Sequence, residues 1–347
     1  MAMTGSAASR ILLTGAGGAA AISFIKAVQG GPFVIHAADM DPNAAGLYLV
    51  PAARRHRLLA GADPHFVGHL LELCRRQAIE VLVPTVDSEL LGVASAEEAF
   101  ASAGVRVLVA SPQTLTICLD KLTLLRACAD TVPVGRYAAL DDAFSPAGWD
   151  FPLIVKPRSG SGSRGIEIVG SPEQLARHPH DGSMLVQEFL PGEEYSVDVL
   201  AGRDGSIVAA VPRARLKVDS GIAVTAKTLH DPELEDFARR VATRVGLRYT
   251  ANIQFRRNAH GTPVLLEVNA RFPGTMPLTV ESGVNMPLLS LRDVLGEPLP
   301  PGPLPFRDIA VVRYWTEEFI DPAEIAALVA DVPEPGAPSA HIPDAGM

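Results

Sequence analysis

Apolar residues follow two different rhythms along this chain. In the first hundred residues, short unbroken apolar runs alternate with longer segments of helical spacing. Arg10–Thr14 reads as a buried strand, Gly15 to Gly18 as a turn and Ala19–Val28 as a helix. Phe33–Ala38 is the next strand and ends at Asp39; a helix covers 65–78, and Val81–Val83 and Val105–Val109 are further strands. Strands alternating with helices imply a parallel α/β sheet. This unit ends near residue 110, because Ser111 and Pro112 supply a capping hydroxyl and a first-turn proline for a new helix. That helix carries Asp120 and Lys121 and runs to about Ala129.

From residue 151 the texture changes to short strands with few helices: 151–156, 165–169, 184–189, 194–201 and 206–211. A helix over 231–245 is amphipathic through Leu234, Phe237, Ala238, Val241 and Val245. TANIQF and PVLLEV then flank Asn258–Gly261 as a hairpin. EPLPPGPLP, 297–305, is a proline-rich linker, and Ile309–Trp315 is a last strand. The stretch after 330, rich in Pro, Ala and Gly, is expected to be poorly ordered at its end. No repeat of 20 to 50 residues is apparent. The expected domains are 1–110, an α/β unit; 111–190, a linker helix and small subdomain; and 191–347, a larger subdomain with linker and tail.

The 347 residues suffice for two or three domains. A net charge of −9, with no basic run interleaved with aromatics, argues against nucleic-acid binding. Cys74, Cys118 and Cys128 form no CxxC pair and read as small buried hydrophobes in a reducing, cytoplasmic setting. MAMTGSAASR lacks the apolar core of a signal peptide. The apolar stretch from Ile11 to Val28 is interrupted by Gly15, Gly17, Gly18 and Lys26, so no membrane span is expected.

Two glycine-rich segments carry candidate chemistry. Gly15, Gly17 and Ala20 fit G-x-G-x-x-G/A between a strand and a helix, and Asp39 stands where an acidic residue would bind a ribose. This is a dinucleotide fingerprint, although any tight strand-to-helix turn also wants small residues. The second segment, SGSGSRG at 159–165, joins two strands. It is not a Walker loop, because Gly165 leads into a strand and no Lys-Ser/Thr follows the glycines. A glycine loop between antiparallel strands can instead fold over phosphates, its amides serving as donors. Lys156 would place a cation beside them.

Downstream, Glu267 and Asn269 sit at i, i+2 on one strand and so share a face, with Gln254 opposite them across the 258–261 turn. These three oxygen donors suit Mg²⁺ held together with nucleotide phosphates. Gln187, Glu188, Phe189 and Leu190 form an extended segment able to pair with an adenine edge, and Glu194 could accept from ribose hydroxyls.

These segments, in this order, resemble the ATP-grasp superfamily, within it the carbamoyl-phosphate-synthase-like branch of stand-alone carboxylate–amine ligases. The resemblance covers roughly 10–315 and rests on DK at 120–121, IVKP at 154–157, SGSGSRG, QEFLPGEEYSVDV at 187–199 and NIQF…LLEVNARF at 252–272. It implies a mixed α/β and α+β chain: an ATP-grasp fold preceded by a Rossmann-like preATP-grasp domain that usually holds no dinucleotide. Position by position, it makes Lys121 and Lys156 phosphate contacts, Ser161, Gly162 and Ser163 the lid donors, and Gln187 to Leu190 the adenine hinge. It makes Glu194 the ribose ligand and Gln254, Glu267 and Asn269 the metal ligands. Arg271 would steady phosphate or substrate carboxylate and, with Lys156, act in catalysis. Arg213, Arg215 and Lys217 fall where further substrate contacts often lie.

The implied activity is an ATP- and Mg²⁺- (or Mn²⁺-) dependent ligase that activates a carboxylate as its acyl phosphate for attack by an amine. Its partners would be those two small molecules, with a homodimer as the assembly open to it. Two rivals stand beside this reading. One is an NAD-linked oxidoreductase built on Gly15, Gly17, Ala20 and Asp39; the other is an ATP-binding protein without turnover.

Overall fold

The computed structural model describes residues 8–331 except Ser161 and Ser163, so those two lid residues and the tail after 331 lie outside the described residues. The chain forms two compact units. One comprises the chain up to Val109 with Pro287–Pro298 and the chain from Trp315; the other comprises Ala110–Met286 with Leu299–Tyr314.

The first unit is built on a parallel sheet. Its strands are β1 (Ser9–Leu13), β2 (Phe33–Asp39), β3 (Arg55–Arg57), β4 (Val81–Val83) and β5 (Arg106–Val107), in the order β3-β2-β1-β4-β5. Ile11, Leu12 and Leu13 are all fully buried. An unbroken apolar run therefore reads as a strand covered on both faces. Helices Ala19–Val28 and Phe66–Arg76 follow the expected spacing, whereas Asp87–Ser95 and Glu97–Ser102 were not foreseen.

The glycine turn after β1 is committed to the fold itself. Gly15 has φ +62°, and a Cβ there would lie 2.3 Å from Val86 Cγ2. The Gly17 amide donates to Asp39 Oδ2 (2.8 Å), the Asp41 amide to Asp39 Oδ1 (2.9 Å), and the Gly18 amide to the Gly15 carbonyl. Residues 44–46 come down onto the turn: the Gly46 amide donates to the Ala16 carbonyl, and a Cβ on Gly46 would meet that oxygen at 2.1 Å. The Gly17 and Gly18 amides and both Asp39 oxygens are therefore engaged within the fold itself. The motif is a packing device.

The second unit holds two antiparallel sheets. The smaller comprises β6 (Tyr137–Asp141), β7 (Leu153–Pro157), β8 (Glu167–Val169) and β9 (Asp181–Glu188), in the order β6-β9-β7-β8, around a core of Leu140, Leu153, Val155, Val169, Leu175 and Val186. The larger comprises β10 (Glu194–Ala201), β11 (Ile207–Asp219), β12 (Ile222–Thr228), β13 (Tyr249–Arg257), β14 (Pro263–Asn269) and β15 (Ala310–Val312), in the order β14-β13-β10-β11-β12-β15. Helix Pro232–Arg244 covers one face, with Phe237 against Phe255.

Three expectations are corrected. The single helix over 111–129 is two, Pro112–Cys118 and Lys121–Cys128, because Asp120 leaves helical geometry and its side chain caps the second by accepting from the Thr123 amide. The strand expected at 206–211 runs on to Asp219 and pairs with the unforeseen β12; Pro212 and the basic run after it hide the alternation. The last strand, expected over 309–315, is only Ala310–Val312. All three cysteines are free and buried, with thiol pKa values raised by burial.

Glu89, which the sequence did not single out, anchors the glycine turn. Its Oε1 accepts from the Thr14 hydroxyl and from the Thr85 and Val86 amides (2.8 and 2.9 Å). Burial raises its pKa to about 7. Glu89→Ala should cost on the order of 2–4 kcal/mol in denaturant unfolding, since two buried amides lose their acceptor. A carboxyl whose folded pKa lies above its unfolded value of 4.5 withdraws stability as pH rises from 4.5 to about 7. Glu89→Gln should abolish that part of the pH slope.

Candidate active site

An open cleft lies in the second unit, lined from the start of helix Lys121–Cys128, from β7, β9, β10, β13 and β14, and from the loop between β7 and β8. Its walls follow from local structure. β7 and β8 pair antiparallel, Leu153 opposite Val169, so the glycine-rich loop is the tip of their hairpin. Ser159, Gly160, Gly162 and Arg164 from that loop line the cleft, and Gly162 has φ +70°. The expected donors Ser161 and Ser163 lie outside the described residues.

Two lysines line the cleft. Lys121 is the first residue of its helix, placed by the Asp120 cap. Its amide donates to the Arg158 carbonyl (2.9 Å), its Nζ donates to the Gly160 carbonyl (3.0 Å), and Nζ stands 3.7 Å from Glu267 Oε2. Asp120 also pairs with Arg158 at 2.6 Å, which ties the helix start to the end of β7. Lys156, in β7, is 6% exposed. Its pKa falls to about 8: burial is the main cause, Lys121 adds to it, and Glu267 and Glu194 oppose it.

The hairpin of β13 and β14 has the expected register. Gln254 faces Glu267 and Asn252 faces Asn269, with a bulge that leaves Leu266 unopposed beside Glu267. Asn269 Nδ2 donates to Glu267 Oε1 (3.1 Å), and Gln254 Nε2 lies 3.5 Å from Asn252 Oδ1. Among the described residues no cluster of three or more His, Cys, Asp or Glu occurs. Glu267 is thus one carboxylate with two amides. That set fits a divalent cation whose remaining ligands are phosphate oxygens, and it does not make a self-sufficient protein cage. The amide rotamers are interchangeable by a flip, which would turn Asn269 Oδ1 toward the same point.

The opposite wall is the end of β9. Gln187 is buried with Nε2 toward the Val134 carbonyl (3.3 Å), the Glu188 amide donates to the Arg136 carbonyl, and Phe189 and Leu190 line the cleft with them. Glu194, at the start of β10, is held by Arg215 and, at 3.7 Å, by Arg256. Arg215 also reaches Gln254 Oε1 (3.3 Å). One guanidinium therefore bridges the expected ribose acceptor and an expected metal ligand.

The remaining sequence candidates stand apart from the cleft. Arg271 Nη2 donates to Asn269 Oδ1 (3.4 Å), next to the Glu267 row. Lys217 is exposed toward the end of β11. Arg213, expected among the substrate contacts, has no exposure and pairs with Asp198 (2.7 Å) beneath the surface, so it cannot touch a substrate directly. Sequence reasoning missed Arg158, Arg256 and Arg313, since a single arginine on a strand or just past its end carries no local signal.

Residues 11–108 match the model of a PylC-like N-terminal domain, and residues 180–318 match one described as ATP-grasp in the biosynthetic pathway with Ter operon. Among solved structures, the biotin carboxylase domain of the Hydrogenobacter thermophilus 2-oxoglutarate carboxylase, in complex with MgADP, ADP and bicarbonate, aligns with a TM-score of 0.70 at 16% identity, over 87% of this chain and 73% of that one. N5-carboxyaminoimidazole synthetase from Staphylococcus aureus, complexed with ADP, gives 0.69 at 13% identity, over 85% and 79%. An ADP complex of N5-carboxyaminoimidazole ribonucleotide synthetase gives 0.68 at 14%, over 88% and 81%. At these identities the likeness is one of fold.

A buried lysine with a lowered pKa destabilises the folded state at neutral pH and stops doing so as pH rises from about 8 to 10.5. Lys156→Met should therefore raise stability at pH 7, by up to roughly 3 kcal/mol. The gap from wild type should close between pH 8 and 10.5, as read by urea unfolding at several pH values. A destabilised variant at pH 7 would contradict the desolvation described here.

Proposed function

From a chain that is an ATP-grasp protein with a PylC-like N-terminal domain, we propose an ATP- and Mg²⁺-dependent ligase that joins a carboxylate to an amine. The observation that carries the proposal is the charge pattern of the cleft. Lys121 and the buried Lys156 lie beside Glu267, with Glu194 also in the field of Lys156, and Arg164 and Arg256 join them in a lining that holds Glu188, Glu194 and Glu267, under a glycine-rich hairpin tip. Those clustered cations suit a polyanion, and Gln187–Leu190 line the same cleft where a base would lie. The complexes of the similarly folded proteins, with ADP and in one case magnesium, agree with it.

On this reading the triphosphate lies between the two lysines and the lid, and Glu267, Gln254 and Asn269 hold the cation. Bound there, Mg²⁺ would neutralise charge on the phosphates. The carboxylate oxygen attacks the γ-phosphorus and the bond to the ADP oxygen breaks. The amine then attacks the acyl carbon, forming the C–N bond and releasing phosphate. Activation is required because a carboxylate is a poor electrophile at neutral pH. The protein's own work is positioning and charge neutralisation, which suits a site of Lys, Arg and backbone donors without a nucleophilic triad. The lid would keep water from the acyl phosphate. The substrates are small molecules, and no helix among the described residues is long and apolar enough to cross a membrane.

Two outcomes test the proposal. Mg-ATP should raise the melting temperature, by the equivalent of about 2.7 kcal/mol at 100 times Kd, whereas NAD and NADP should leave it unchanged; the reverse pattern would restore the dinucleotide reading. ADP release with paired amino acids and small acids should be lost in Glu267→Gln, by about 100-fold or more, with the fold retained. Near-full turnover in that variant would remove Glu267 from the site, and ATP binding with no turnover on any pair would favour a binding protein.

A further inference from the structure

Beside the Glu267 row, on the same face of the large sheet, lies a second polar cluster that nucleotide binding does not explain. Ser196, Gln254 and Glu267 are cross-strand neighbours, and Arg213 extends that rung as the partner of Ser196 on β11. Arg213 Nη2 donates to Asp198 Oδ1 (2.7 Å). Asp198 also accepts from Asn252 Nδ2 (2.7 Å) and from the Thr279 hydroxyl of helix Met276–Glu281, which lies over this face. Asp198 is thus heavily subscribed, while Arg213 Nε and Nη1 are buried with no hydrogen-bond partner among the described residues. A guanidinium in that condition is costly to bury unless further negative charge comes near.

Arg313 stands at the rim of this cluster. It continues β15, with its amide donating to the Val224 carbonyl of β12, the strand that also pairs with Arg213 through Thr228. Its Nη2 donates to the Gly274 carbonyl (2.7 Å), three residues beyond Arg271 and so within about 11 Å of it along the chain. Burial and then the charge of Arg213 lower the pKa of Arg313, which places the two guanidinium groups in one another's field. Arg313 is thus a partly exposed guanidinium in the field of a sealed one, whose own carboxylate is already held by two neutral donors.

We propose that Arg313, backed by the sealed charge of Arg213, receives a substrate carboxylate that is not the one activated. The proposal rests on the ligase reading and narrows it: one substrate carries a permanent negative group in addition to the reacting one. Arg313 makes the contact, and Arg213 acts through its charge. Such a carboxylate can come from a dicarboxylic acid or from an amino acid serving as the amine.

The test uses the full chain loaded with Mg-ADP, at fixed ionic strength with chloride as reference salt. Succinate probes the diacid and glycine the amino acid, each titrated while the melting temperature is followed. At least one should raise it beyond the chloride reference in wild type. Arg313→Met should weaken that apparent affinity ten-fold or more, and Arg313→Lys should recover part of it. The shift that Mg-ADP itself causes should be the same in all three proteins, and its absence would count against the ligase reading separately. Failure of both succinate and glycine to exceed chloride, or equal shifts in wild type and Arg313→Met, would overturn the proposal.

Discussion

The site turns on two lysines held together beside Glu267. Glu267 faces Lys121 at 3.7 Å and, with Glu194, lies in the field of Lys156, whose pKa burial pulls down from the ordinary 10.5 to about 8. Desolvating a second ammonium beside a first is unfavourable in the isolated protein. The arrangement becomes favourable when an anion of high charge binds, which returns that cost. The surrounding elements hold this imbalance in place. The Asp120 cap fixes where Lys121 begins its helix, Arg158 ties that helix to β7, and the β13–β14 register fixes Glu267 opposite Gln254.

Arginine is distributed by the same logic. Arg215 occupies both Glu194 and Gln254, the acceptors expected for ribose and metal. Binding of both would release it from at least one of them. Arg213 is handled differently. It is sealed under helix Met276–Glu281, committed to Asp198, and can influence a ligand only at a distance.

Much of this was legible in the sequence because it depends on short-range periodicity. The i, i+2 spacing of Glu267 and Asn269, and the short turn at 258–261, sufficed to put Gln254 on the same face. Asp120–Lys121 was legible as a motif but misread as mid-helix, since a capping aspartate looks like any polar helical residue until its backbone is seen to leave the helix. The fingerprint at Gly15–Ala20 shows the opposite failure. Its spacing is right, yet Asp39 and the Gly17 amide satisfy each other and residues 44–46 cover the turn, a long-range fact that no local pattern encodes. Glu89, Asp198 and Arg313 were invisible for the same reason: each acquires meaning only through partners dozens of residues away.

The central claim is that a polyanion resolves the charge imbalance at Lys156, and its most direct test is proton counting. Mg-ATP is titrated calorimetrically into the protein at pH 8 and pH 6.5, in buffers of differing ionisation enthalpy. With Lys156 near pKa 8 when unliganded, binding should take up about half a proton at pH 8 and close to none at pH 6.5, and Lys156→Met should abolish the uptake. Tight binding at pH 8 with no buffer dependence, or with proton release, would contradict the account.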